Sequence, residues 1–168
     1  MSPGEDFTTL EVLGIAIKSE VEAIALYSRM KEKTKNPDLA MKLDFLIAQE
    51  RSHEKLLTEA YRKRFPNVDL RLPPKPIVPA IADALAKEAG LGELFAVAKE
   101  AEKMAEAFYR DLAGKTRDQA SKSTLEYLSS MEHSHFMILE AEYQQLQFSK
   151  DYDSDEFLRG ERLMNLGP

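Results

Sequence analysis

The sequence predicts an all-α protein, a four-helix bundle made of two repeated helix hairpins joined by a long proline-rich crossover. Three observations carry this. Apolar residues recur at helical spacing along most of the chain. An internal repeat with an offset of 82 residues relates one helix pair to another. Between the pairs, five prolines fall within residues 66–79, a density that no helix survives.

Leu10, Leu13, Ile17, Ile24, Tyr27 and Met30 fall at spacings of three, four or seven and predict a helix over about 7–34. Asn36-Pro37 punctuates the chain, and Pro37 suits a first helical position. Leu39, Leu43, Leu46, Ile47, Leu57 and Tyr61 carry a second helix to about residue 64. The crossover occupies about 66–91. It is extended through its prolines and then forms a short helix over 80–89, stopped by Gly90. A third helix is expected over 92–113, ending near Gly114, and a fourth over 118–148. No segment alternates as a strand would. Residues 1–150 thus read as one bundle domain, and 151–168 as an acidic tail that docks as a short arm or stays loose.

The repeat aligns 11–61 with 93–143 without a gap, and 15 of the 51 pairs are identical. Unrelated segments would match at roughly one position in fifteen. Shared leucines could arise by convergence of two amphipathic hairpins. Glu20/Glu102, Tyr27/Tyr109, Glu50/Glu132, His53/His135 and Tyr61/Tyr143 in one register do not fit that explanation. Two such hairpins pack into one bundle, and an extended crossover must travel its length.

Composition narrows the function. Lys and Arg number 23 against 29 Asp and Glu, a net charge of -6, which disfavours nucleic-acid binding. The absence of cysteine excludes disulfides, iron–sulfur centres and thiolate zinc sites within these residues. No apolar run reaches the roughly 20 residues of a membrane span. The N-terminus is acidic where a secretory leader would be basic. A cytoplasmic protein that does not enter membranes is expected.

Each half holds a Glu and, thirty residues later, a Glu-x-x-His: Glu20 before Glu50-Arg-Ser-His53, and Glu102 before Glu132-His-Ser-His135. Residues i and i+3 share a helix face, so each Glu-x-x-His can serve one centre. All four glutamates lie on apolar stripes, for example Glu20 among Leu13, Ile17, Ile24 and Tyr27. Burying ionised carboxylates without partners costs several kcal/mol each, by order of magnitude. Two divalent cations would balance four carboxylates and two neutral imidazoles. Mixed oxygen and nitrogen donors suit iron first, with manganese or zinc as alternatives. One Glu-x-x-His is a weak signal; two, each with a Glu at the same distance, are a strong one.

At Glu20-Val-Glu-Ala-Ile-Ala-Leu-Tyr27, Glu50-Arg-Ser-His53, Glu102-Lys-Met-Ala-Glu-Ala-Phe-Tyr109 and Glu132-His-Ser-His135, the chain resembles the rubrerythrin-like branch of the ferritin-like di-iron carboxylate proteins. The resemblance covers about residues 8–148. It implies a ferritin-like bundle with Glu20 and Glu102 as terminal ligands, Glu50 and Glu132 as bridging carboxylates, and His53 and His135 as imidazole ligands. It implies that Tyr27 and Tyr109 hydrogen-bond ligand carboxylates. It also implies a homodimer paired along helix faces. Two departures stand out. Peroxide-reducing rubrerythrins usually carry a second glutamate three residues from the third-helix ligand, where this chain has Lys99 and Ala105. Glu106, one turn after Glu102, is the candidate substitute; the competing reading is a rim glutamate. The rubredoxin-type centre is also missing, so electrons would come from an external donor protein.

Several residues are set aside. His133 lies about 100° around the helix from Glu132 and reads as a flank. Glu22 and Glu100 read as solvated, and Glu54 has Phe136 at its repeat position. The Asp151–Glu156 run resembles a calcium loop, but Glu156 stands where glycine is required and Arg162 where glutamate is.

The leading functional reading is a non-haem di-iron oxidoreductase of the peroxidase or ferroxidase type. It would reduce peroxide or dioxygen and oxidise Fe²⁺, in a role suited to oxidative stress. The alternatives are an iron-handling protein whose ferroxidase chemistry serves storage or delivery, and a non-catalytic bundle stabilised by metal.

Overall fold

The structure is a computed structural model and describes residues 9–87, 89–149 and 152–153. Five helices follow in order: α1 (Thr9–Lys33), α2 (Pro37–Arg64), α3 (Pro79–Ala86), α4 (Leu91–Lys115) and α5 (Gln119–Phe148). No strand occurs among the described residues. The arrangement is a ferritin-like helical bundle. Helix α1 packs along α2 and α4 along α5; α1 also meets α4, and α2 approaches α5. Among the described residues no helix is long and apolar enough to cross a membrane.

The starts of α2 and α5 repeat the 82-residue offset in their chemistry. The Asn36 side chain accepts from the backbone N–H of Asp38 and Leu39, ahead of Pro37. Asp118, the position equivalent to Asn36, accepts from the N–H and hydroxyl of Ser121. Two glycines act differently from expectation. Gly90 does not end α3, which stops at Ala86; it is the N-cap of α4. Gly114 lies inside α4, which ends at Lys115 and is capped by Thr116, whose N–H bonds Ala113 O and whose hydroxyl bonds Leu112 O.

The crossover runs lengthwise along α1. Tyr61 donates its hydroxyl to Asp69 O. At Gly14 a Cβ would stand 3.5 Å from Arg71 O and 3.8 Å from Pro73 Cδ, so the bare backbone gives the crossover its close path. Further along, Glu22 accepts from Ile77 N and Val78 N. Glu22 is therefore buried, not solvated. Extended chain beside prolines has no ladder for its N–H groups, and a carboxylate supplies the acceptor. Glu100 is exposed.

Two apolar clusters fill the interior. The larger joins Tyr27, Met30, Leu43 and Leu46 to Leu94, Phe95 and Leu139. The smaller joins Ile17, Leu57 and Tyr61 to Tyr109 and Leu128. Of the expected tail, only Tyr152 and Asp153 are described, and they dock. Asn36 Nδ2 donates to Tyr152 O, and Asp153 accepts from Thr34 Oγ1 and Lys35 N. Tyr152 also donates to Glu142, which pairs with Lys42. The rest of the tail expectation, with the Asp151–Glu156 run, lies outside the described residues.

Candidate metal centre

The stripe of each long helix faces the bundle axis, and the polar residues on those stripes meet there. Glu20 of α1, Glu50 and His53 of α2, Glu102 of α4, and Glu132 and His135 of α5 are all buried, none more than 3% exposed. His53 Nδ1 stands 3.2 Å from Glu50, 3.3 Å from Glu132 and 3.6 Å from Glu20. His135 Nδ1 stands 2.9 Å from Glu50, 3.0 Å from Glu132 and 3.7 Å from Glu102. The two imidazoles stack with centroids 5.5 Å apart. The pattern is pseudo-twofold. Each histidine has a glutamate of its own, and both share Glu50 and Glu132.

Ligand-capable atoms therefore form two overlapping groups. One is Glu20, Glu50, His53 and Glu132; the other is Glu50, Glu102, Glu132 and His135; within each the atoms lie within 4.8 Å of one another. Glu50 and Glu132 belong to both groups, so each offers carboxylate oxygens to either one.

Tyr27 and Tyr109 tie the halves together crosswise. Tyr27 donates to Glu102, and Tyr109 donates to Glu20. Each tyrosine thus serves the glutamate of the opposite hairpin. Burial, reinforced by the nearby carboxylates, pushes both phenols well above their usual range, so they remain donors.

Without cations the electrostatics are strained in a specific way. Burial raises Glu20 and Glu102 well above the ordinary carboxylate range. Burial works to raise Glu50 too, but hydrogen bonds from His135 and His53 hold it down at about 2. Burial opposes charging of the histidines, yet the carboxylates around them push both up to about 12. Protons here do the neutralising that cations could do. Glu102 Oε2 and Glu132 Oε1 are buried without a hydrogen-bond partner. Orphaned carboxylate oxygens facing imidazole nitrogens fit a pair of divalent cations.

Glu106 is not brought into either group. Its carboxylate lies 2.9 Å from Arg110 and 3.2 Å from His133 Nδ1, at the rim between α4 and α5. Arg110 already pairs with its carboxylate there, a position of the kind the rim reading describes. His133 is an exposed flank. Lys99 turns away to Glu140, at 2.7 Å, and stacks over Tyr143. Ala105 packs into the smaller apolar cluster.

The comparisons agree with this geometry. A family model described as Rubrerythrin matches residues 11–143. A solved structure of a hypothetical protein from Pyrococcus furiosus is similar with a TM-score of 0.70 and 32% identity, covering 84% of this chain and 92% of that one. An uncharacterized protein of Archaeoglobus fulgidus is 49% identical over 49 residues, which are 29% of this chain and 76% of that protein. With a bundle of the right topology, a buried Glu/His cluster able to hold metal ions and a match over most of its length, the chain belongs to the rubrerythrin family, which binds di-iron and generally has oxidoreductase activity.

Proposed function

We propose that this chain is a non-haem di-iron oxidoreductase that reduces peroxide or dioxygen, oxidises Fe²⁺ and takes electrons from an external donor protein. The observation that carries the reading is the pair of buried ligand groups sharing Glu50 and Glu132. An iron pair bound there would supply one electron per metal and positions for the oxidant. Glu20 and His53 would hold one cation and Glu102 and His135 the other, with Glu50 and Glu132 spanning both. Tyr27 and Tyr109 fix the outer carboxylates through their hydroxyls. The apolar clusters on either side keep bulk water from the centre. With no cysteine in the chain, the reading assigns electron delivery to a separate donor.

The test is to load the protein with Fe²⁺, add hydrogen peroxide and follow the optical change. Peroxide should be consumed faster than by free iron, and Glu50→Ala should abolish the excess. Consumption equal to free iron, or unchanged in Glu50→Ala, rejects the reading.

A further inference from the structure

We propose that Tyr127 is a positioning residue for one metal position only, the one formed by Glu20 and His53. The inference rests on the reading of the centre as a seat for two cations. A ligating imidazole is ordinarily oriented by an acceptor on its outer ring nitrogen. Neither histidine has one here: His53 Nε2 and His135 Nε2 are both buried without a hydrogen-bond partner. Their Nδ1 atoms face carboxylates, so only packing limits the tilt of each ring. The two rings stack on one another, with 5.5 Å between centroids and 22° between planes. That contact is common to both and cannot distinguish them. His53 has a second ring against it. Tyr127 of α5 stands edge-on, with 6.2 Å between centroids and 86° between planes, within the range in which aromatic edges and faces attract.

Nothing equivalent holds His135. The 82-residue offset makes Phe45 the counterpart of Tyr127, each five residues before the shared glutamate of its helix. Phe45 is half-exposed and borders an open groove with Met41 and Met137. Among the described residues His135 makes no ring contact besides its stack on His53. The repeat thus sets an aromatic residue at the same register in both hairpins, but only Tyr127 reaches an imidazole. Tyr27 and Tyr109, by contrast, act symmetrically, one on each outer carboxylate, and create no inequality. A ligand whose rotamer is locked before the cation arrives loses less freedom on binding it. The Glu20–His53 position is therefore the tighter of the two, and the centre fills unequally. An edge-on pair of this kind is worth about 3- to 10-fold in an equilibrium constant.

The experiment is anaerobic titration of the full metal-free chain with Co²⁺, followed by visible absorption. The wild type should bind two Co²⁺ in unequal steps. Tyr127→Leu should weaken the tighter step about 3- to 10-fold and leave the other within about 2-fold, with helical circular dichroism unchanged to show that it folds. Tyr127→Phe keeps the ring and should restore the wild-type curve. Phe45→Leu, at the equivalent position, should leave both steps unchanged. In a His53→Ala background Tyr127→Leu should have no further effect on the remaining step, because the group it orients is gone. Equal wild-type steps, or an equal loss at both steps in Tyr127→Leu, overturn the inference. So does a failure of Tyr127→Phe to rescue, a split altered by Phe45→Leu, or an effect that persists without His53. Peroxide plays no part in this measurement. A chain that fills unequally but consumes no peroxide refutes only the proposed activity, whereas one that binds no Co²⁺ refutes both.

Discussion

Raising the pH should destabilise the metal-free protein and leave the metal-loaded protein nearly unaffected. Burial alone would discharge His53 and His135, but the carboxylates facing them hold both up to about 12. An unfolded histidine titrates near pH ~6.5. Above that value the folded chain keeps two protons that the unfolded chain has released. A raised folded pKa contributes stability that is complete below the unfolded value and is lost as the pH climbs towards the folded one. Glu20 and Glu102, raised by burial, act in the same direction from about pH 4.5 upward. Glu50, held down at about 2, has the opposite sign, but its contribution is lost only as the pH falls below the ordinary carboxylate range.

Each proton is worth about 1.4 kcal/mol per pH unit. Two histidines between about pH 6.5 and 8.5 therefore give on the order of 5 kcal/mol, comparable with the whole stability of a small domain. In a chain of this size that corresponds to a fall in Tm of roughly 10–20 °C. Bound cations replace those protons, so the folded and unfolded chains then carry similar numbers and the slope flattens. The assay is thermal melting by circular dichroism across this window, with a chelator in one series and Fe²⁺ under anaerobic conditions in the other. A metal-free Tm that does not move, or equal slopes in both series, would refute the picture of a proton-filled cluster awaiting cations.

Three further outcomes are expected. Tyr27→Phe removes the donor to Glu102 and Tyr109→Phe the donor to Glu20; each should lower metal affinity by about 10- to 100-fold while the helices persist, as read by anaerobic metal titration. Glu22→Ala leaves Ile77 N and Val78 N without their acceptor. It should cost about 1–3 kcal/mol in urea unfolding and speed proteolysis within residues 66–78; unchanged cleavage there would show that the prolines alone hold the crossover. Asn36→Ala removes both the α2 cap and the tie to Tyr152 O, and a loss of at least about 1 kcal/mol is expected from denaturant melts.

The helices and the ligand stripe were legible because both follow from periodicity. A buried glutamate on a leucine row announces itself by its phase, and the 82-residue repeat supplies a second copy of the same anomaly. Three things were not legible, each because it depends on how separated segments meet. Glu22 stands two residues from Glu20 and thus off the ligand stripe; its burial follows from the path of the crossover, which no local pattern encodes. Gly90 and Gly114 follow from the chain's choice between ending one helix and starting or continuing another, which their exposed surroundings do not force. The tyrosines are the most instructive case. A repeat states that Tyr27 and Tyr109 are equivalent, but either could serve the glutamate of its own hairpin or that of the other without changing one residue. Packing decides: each tyrosine lies two turns from its own glutamate, too far along the helix to bond it, while the facing helix brings the other glutamate to its hydroxyl. The crossed bonds make each half supply the donor that orients the other half's outer carboxylate. A hairpin folded alone would therefore lack both the shared glutamate and the tyrosine that complete its own metal position, so the centre can form only when the two halves have joined.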